Sequence, residues 1–494
     1  MDTEKRYTNF GRQVSYVVGA NIAIGLLGFI QLAILTKGLG ITLYGTWSLI
    51  IVTISVIVPF ALLSLNDAIV RFLTAEKDKG RISEDFLSAL ATVCICGITF
   101  SILLFLFSDY LASLIFKDIN SSSYIKLASI LILFNSLDGL TLAFFRMQLK
   151  MGLFVAFNLG QNIIRVGFIF AALSLGYKLT GVIFAVIGSE VIFLILKLFI
   201  TLRQTGLHMP HFSNIKSYLR WGIPLTPNVA ILWIIDVSDR YVISYFLGVA
   251  AVGIYNAAYT IAGYATFILL PLGTVLYPTI IKSYEEGRIS ETKNYLKYSL
   301  KYFMMIAVPS AFGLTILAEP LLSILTRPEF VAGKAVVPFV AFGTVLFGFY
   351  RIYLYIILLA NKTHLTLRLL GISAIINIIL NILLIPLMGI LGAAVATFVA
   401  YGVLGILGLM VSRRYMKFDL SLHFMLKSAI ASSIMMLCIW LLNPKSITTV
   451  LISILCGILI YFGVLLITKG LNKSEISFFL NFSRDTLRKI YMLK

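Results

Sequence analysis

Long apolar runs separated by short polar breaks recur along the whole chain. Runs near the ~20 residues that a membrane-spanning helix needs fall at 13–35, 41–64, 86–107, 123–145, 152–175 and 179–202. A second group falls at 221–247, 251–280, 298–318, 335–359, 366–386 and 388–411, and a final pair at 423–442 and 447–468. The pattern predicts an all-α integral membrane protein with fourteen transmembrane helices. No polar break is long enough for a separate soluble domain. The polar start MDTEKRYTNFGRQ is followed by an apolar run too long for a signal-peptide core, so the first span is expected to be retained.

Charge orients the pattern. The chain has 494 residues, 60% of them hydrophobic and 12% charged, with a net charge of +19. If the N-terminus faces the cytoplasm, the cytoplasmic segments hold thirty Lys and Arg residues. The opposite loops hold seven: Lys37, Lys117, Lys126, Lys178, Arg327, Lys334 and Lys445. This asymmetry is the positive-inside signature and places both termini in the cytoplasm. It also accounts for the basic excess without nucleic acid. Three arginines, Arg165, Arg240 and Arg351, remain inside the spans. Cys94, Cys96, Cys438 and Cys456 all fall in apolar runs and read as small buried hydrophobes.

The chain repeats itself. LGITLYGTW (Leu39 to Trp47) and LGVAAVGIY (Leu247 to Tyr255) share L-G-x-x-x-x-G-x-aromatic at an offset of 208 residues. TGVIFAVIGS lies over LGAAVATFVA at an offset of 211, placing Gly181, Ala185 and Ser189 on Gly392, Ala396 and Ala400. Small residues at this spacing let helices approach closely in lipid. The expected organisation is an N-lobe at 1–205 (helices 1–6), a cytoplasmic linker at 206–220 and a C-lobe at 221–415 (helices 7–12). Residues 416–494 supply helices 13–14 and a basic tail. Six is an even number, so the two lobes form a parallel repeat.

The segments DRYVISYFLGVAAVGIYNAAYTIA, LNILLIPLMGILGAAVATFVAYG and SLNDAIVRFLTAEKDKG resemble those of polysaccharide-export flippases. These form the Wzx-like, oligosaccharidyl-lipid branch of the MOP exporter superfamily. The likeness runs the length of the chain. It implies two bundles around a V-shaped cavity that opens alternately to either side. The implied cargo is a polyprenyl-pyrophosphate oligosaccharide, moved from the cytoplasmic to the outer leaflet for cell-surface glycan assembly. Implied partners are that cargo, membrane lipids and polysaccharide assembly proteins. The implied location is the cytoplasmic membrane.

With such a cargo, the intramembrane charges become site candidates, because a charge near mid-bilayer costs at least ~2.5–3.5 kcal/mol and is rarely idle. Guanidinium groups pair bidentately with phosphate oxygens, which suits Arg165, Arg351 and Arg240 to the pyrophosphate. Asn158, Asn162, Asn377 and Tyr350 suit sugar hydroxyls. Asp138, Glu190, Asp236 and Asp239 are candidates for charge partners or for H+ or Na+ coupling. A structural alternative stands beside each role. Asp236 and Arg240 have the i, i+4 spacing of a pair that neutralises itself on one helix. Arg165 can bridge to Asp138 or Glu190, Arg351 can snorkel, and Asn377 can join helices with Asn381. Pro59, Pro224, Pro227, Pro271 and Pro278 interrupt spans where bending would serve alternating access.

Other chemistry finds no purchase. None of His208, His211, His364 and His423 pairs with a cysteine at metal-ligand spacing, and no P-loop lysine motif occurs. Neither an enzyme nor a resident cofactor is expected. The alternative function is a small-molecule or drug cation antiporter on the same architecture, for which carboxylates would matter more than arginines.

Overall fold

The computed structural model describes residues 2–74, 76–206, 208–264, 277–471 and 475. Every longer element among them is a helix. The N-lobe comprises α1 (Asp2–Leu62), α2 (Leu65–Leu73), α3 (Lys79–Leu106), α4 (Leu131–Met147), α5 (Met151–Ser174) and α6 (Lys178–Thr205). The connecting helix is α7 (Ile215–Gly222). The C-lobe comprises α8 (Thr226–Leu247), α9 (Val249–Gly263), α10 (Tyr277–Glu285), α11 (Ile289–Leu325), α12 (Val336–Leu359), α13 (Thr363–Met388) and α14 (Ile390–Ser412). Last come α15 (Leu422–Leu442) and α16 (Ile447–Ile467), which pair with each other while α15 lies along α11.

Eleven described segments are long and apolar enough to cross a membrane. One of them, Gly19–Leu62, has 44 residues, about 66 Å of helix against a hydrocarbon core of ~30 Å. Its helical path breaks at Gly40 (φ 74°, ψ −179°), where the first hairpin turn was expected. Helix α8 falls outside the eleven because it carries Asp236, Asp239 and Arg240. The expected eighth span, 251–280, runs into 265–276, outside the described residues, as does Pro271. The all-helical plan stands; the number fourteen is not established by these helices alone.

The repeat is built into the packing. Gly45 and Gly253, equivalent at the 208-residue offset, face each other where α1 crosses α9. A Cβ on Gly45 would lie 2.0 Å from the Val249 carbonyl oxygen, and one on Gly253 would lie 2.2 Å from that of Ile41. Only glycine permits so close a backbone approach. Gly248, between α8 and α9, has φ 84° and ψ 169°, nearly the conformation of its equivalent Gly40.

Three cores form. The largest crosses both lobes through Leu35, Tyr44, Ile50, Val252, Tyr255 and Phe330 and continues into α15 and α16. Two smaller cores stand apart from it. One, in the N-lobe, contains Leu65, Phe86 and Phe144; the other, in the C-lobe, contains Ile235, Tyr350 and Tyr401. The lobes therefore share a core around the crossing of α1 and α9, and each lobe has a separate smaller core of its own.

The segment joining the lobes is docked on the N-lobe. Tyr218 of α7 donates to Asp85 Oδ2 at 2.8 Å, and Asn214 donates to both oxygens of the same carboxylate at 3.1 and 3.2 Å. Burial, and after it the Asp85 carboxylate, pushes the Tyr218 hydroxyl pKa up. The rings of Phe72 and Tyr218 stack with centroids 5.0 Å apart. Past Gly222 the chain tightens into a 3-10 turn over Ile223–Leu225 containing Pro224, and Pro227 opens α8. Proline is tolerated in a first turn, where its missing N–H costs nothing.

Candidate functional site

In the N-lobe, four ionisable side chains and one amide form a single chain across α4, α5 and α6. Arg165 donates through Nη2 to Glu190 Oε1. The other Glu190 oxygen accepts from Gln161 Nε2 at 2.7 Å. The Gln161 carbonyl oxygen accepts from Lys197 Nζ at 2.9 Å, and Lys197 also donates to Asp138 Oδ1. Gln161 thus couples an anion on one side to a cation on the other. Of the two bridges open to Arg165 in the sequence, the one to Glu190 is present, and Asp138 is taken by Lys197.

Arg165 keeps some freedom. Its side chain is 24% exposed while Glu190 is 3% exposed, and its Nε has no hydrogen-bond partner. Asn158, Asn162 and Arg165 follow at i, i+4 and i+7, so they share one face of α5, and all three are half-buried. Asn162 Nδ2 is held by the Asn158 carbonyl at 2.8 Å. The outcome is a polar stripe ending in a guanidinium.

The C-lobe charges differ from the i, i+4 pair that the spacing suggested. Arg240 donates through Nη1 to the carboxylate of its neighbour Asp239 at 2.8 Å, and to the backbone carbonyl of Asp236 rather than its carboxylate. Its guanidinium carbon lies 4.0 Å from the Tyr259 ring centroid and 5.2 Å from that of Tyr255. Tyr255 donates its hydroxyl to the other Asp239 oxygen. Tyr401, on α14, donates to the Asp236 carboxylate. Aromatic rings thus do what the second carboxylate was expected to do, because a flat cation stacks well on tyrosine. Arg240 and Asp239 are buried, whereas Asp236 is exposed.

Arg351, on α12, is half-buried, and among the described residues it forms no hydrogen bond or ion pair. Its neighbour Tyr350 is 1% exposed, within the smaller C-lobe core, so its hydroxyl does not meet the space between the lobes. Asn377 is fully buried. It donates to Thr397 at 3.4 Å and accepts from Asn381 at 3.0 Å, which is the helix-joining role. No hydrogen bond or ion pair among the described residues links the N-lobe charge chain to the C-lobe group.

Sequence inspection overlooked two members of the chain. Lys197 was grouped with the cytoplasmic lysines because it lies near the end of a span, yet its side chain is 0% exposed. Its seven-residue spacing from Glu190, which puts both on one face of α6, was the available signal. Gln161, four residues before Arg165, has the same kind of signal on α5.

A family profile described as "Polysaccharide biosynthesis protein" matches residues 10–284, more than half of the chain. The chain belongs to this family. A second profile, described as MatE, matches residues 224–383. A curated relative, the probable low-salt glycan biosynthesis flippase Agl15 of Haloferax volcanii, is 22% identical over 234 residues. That match covers 47% of this chain and 49% of the relative, so the chain spans about half the length of the curated relative it matches. Among solved structures, the lipid II flippase MurJ in an inward closed conformation superposes with a TM-score of 0.72 at 21% identity. The match covers 90% of this chain and 96% of that one. A multidrug resistance MATE family transporter of the MOP superfamily, in an inward-facing conformation, gives a TM-score of 0.66 at 16% identity, covering 81% and 94%. These two likenesses establish a shared fold.

Proposed function

We propose that the protein is a flippase that carries a lipid-linked, polyprenyl-pyrophosphate oligosaccharide across the cytoplasmic membrane by alternating access. Cargo moves from the leaflet on the terminal, cytoplasmic face to the opposite leaflet. Family membership and the names of the two flippase relatives support this assignment. One observation carries the cargo chemistry: among the described residues, Arg351 is an intramembrane cation with no anion of its own. Such a charge is costly to keep unless it has a partner, and a pyrophosphate entering between the lobes supplies one. Arg165, partly exposed at the end of the Asn158–Asn162 stripe, is the second contact, and the two asparagines meet sugar hydroxyls. Arg240, paired with Asp239 and stacked on two tyrosines, sets the geometry of α8 against α9.

The MatE match over 224–383 and the exposed Asp236 carboxylate favour a second function, export of a small cation. The same carboxylate is our candidate for H+ or Na+ coupling in either case. Polysaccharide assembly proteins are proposed as further partners.

Ligand-induced thermal stabilisation separates the two. A ligand at 100 times its Kd stabilises by about 2.7 kcal/mol. A polyprenyl pyrophosphate in detergent should raise the Tm of the wild type, the uncharged polyprenol should not, and Arg351→Met should lose most of the rise. Equal stabilisation by pyrophosphate and alcohol would remove the anion-binding role. A rise with lipophilic cations alone would favour the exporter.

A further inference from the structure

We propose that the face carrying the Gly40 and Gly248 turns is closed by a clasp that the internal repeat builds twice, and that opening both copies is the step that admits that face to the cavity. The proposal rests on the alternating-access reading but on no particular cargo.

In the first copy, the α1 corner of the N-lobe meets the end of α11 in the C-lobe. Arg327 donates through Nε to the Lys37 carbonyl at 2.7 Å, and through Nη2 to the same oxygen. Lys37 Nζ returns a bond to the Ile324 carbonyl at 2.8 Å, and the Thr36 hydroxyl lies 3.4 Å from the Leu325 carbonyl. In the second copy the lobes exchange roles. Lys117, following α3, donates to the Tyr245 carbonyl at the end of α8 and sits 4.8 Å from the Tyr245 ring centroid. The Ser244 hydroxyl returns a bond to the Ile115 carbonyl.

The correspondence holds part by part. Thr36 and Ser244 are 208 residues apart, as are Lys37 and Tyr245. Ile115 and Leu325, the carbonyls facing the two hydroxyls, are 210 apart, as are Lys117 and Arg327. In both copies a basic side chain from one lobe caps an orphan carbonyl at a helix end of the other. The hydroxyl at the preceding position faces a carbonyl across the lobes, by a direct bond from Ser244 and by a longer approach from Thr36, whose shorter bond is to Leu32. Gly45 and Gly253 lie between the copies. Such a reciprocal contact is isologous, as at a two-fold dimer interface. A chance surface contact has no reason to recur at the repeat offset with donor and acceptor lobes exchanged.

The carbonyls impose the tightness of closure. A charged donor bonds a carbonyl only near 2.7–3.0 Å, so small separations of the lobes release the bonds. The two copies act in parallel, and losing one leaves the other. The expected response is therefore graded. Removing either base should raise the ratio of outer-open to outer-closed protein about threefold, and removing both about tenfold.

The test uses the full chain in liposomes without cargo. Spin labels at Asn120→Cys and Glu329→Cys, both exposed on this face and in different lobes, report the distance across the clasp. The wild type should give mainly the short distance. Lys117→Met and Arg327→Met should each add a longer component, and the double variant should add most. Lys117→Arg and Arg327→Lys should keep the short distance, which also controls for folding. An unchanged distribution in the folded double variant overturns the proposal. A second measurement locks the contact instead of releasing it: Ser244→Cys and Ile115→Cys, joined by a short reducible bifunctional reagent, should stop flipping, and reductant should restore it. Full flipping by the joined protein also overturns it. Because the distance measurement involves no cargo, the clasp can fail while the cargo assignment stands, and the reverse.

Discussion

Lys197→Met tests the N-lobe charge chain at its least exposed member. The lysine side chain is 0% exposed and its partner Asp138 13%. Methionine keeps most of the stem's volume and removes the charge. Asp138 then faces a neutral site, and the Gln161 carbonyl loses a donor at 2.9 Å. Removing one partner of a buried ion pair costs about 3–5 kcal/mol, mostly from the charge left behind. Against a typical total of about 5–15 kcal/mol, that is a large share. Thermal unfolding in detergent, followed by tryptophan fluorescence and size exclusion, should show a Tm lower by roughly 5 °C or more. Asp138→Asn combined with Lys197→Met should recover over half of the loss, because no unpaired charge remains. A single variant melting within about 1 °C of wild type would refute the reasoning; Asp138 would then be hydrated or neutral and the chain would be no scaffold for Arg165.

Arg240→Met should lower stability about as much as Lys197→Met, since it strands the buried Asp239, whereas Arg351→Met should change it by less than about 1 kcal/mol; paired melts compare them directly. Gly45→Ala puts a carbon where the Val249 carbonyl oxygen lies 2.0 Å away, and such overpacking typically costs about 1–3 kcal/mol. Its Tm should fall, and Gly253→Ala should match it. Asp85→Asn leaves Tyr218 and Asn214 without their common carboxylate, so limited proteolysis should cut the 206–214 segment several-fold faster than in the wild type. An unchanged cleavage rate would mean that the ring contacts of Tyr218 and Trp221 with Phe72 and Arg71 hold α7 without the carboxylate.

What the sequence made legible follows from how membranes constrain chains. Lipid demands long apolar runs with internally satisfied backbones, so helices α3, α5, α6 and α11 to α16 appear close to where the apolar runs placed them. The glycine repeat marked the duplication, and the structure adds that Gly45 and Gly253 touch, because close backbone approach leaves few residue choices. Partners of buried charges were harder. Spacing on one helix suggested that Asp236 serves Arg240, but Asp239 and the α9 tyrosines take Arg240 while Tyr401 of α14 takes Asp236, and no single-helix pattern encodes a ring arriving from another helix. Lys197 was missed because charge near the end of a span reads as topology. Tyr350 pointed inward on periodicity alone, and its burial in the smaller C-lobe core depends on tertiary packing.

Flipping itself tests the central claim most directly. A fluorescent polyprenyl-pyrophosphate oligosaccharide is placed in the inner or outer leaflet of proteoliposomes, with and without an imposed ion gradient, and its transfer is followed by quenching of the exposed label. The account predicts that wild-type protein accelerates transfer, and that folded Arg351→Met and Arg165→Ala variants each lose most of that acceleration. Wild-type protein that moves no lipid-linked oligosaccharide under any gradient, yet exports a lipophilic cation, would contradict it.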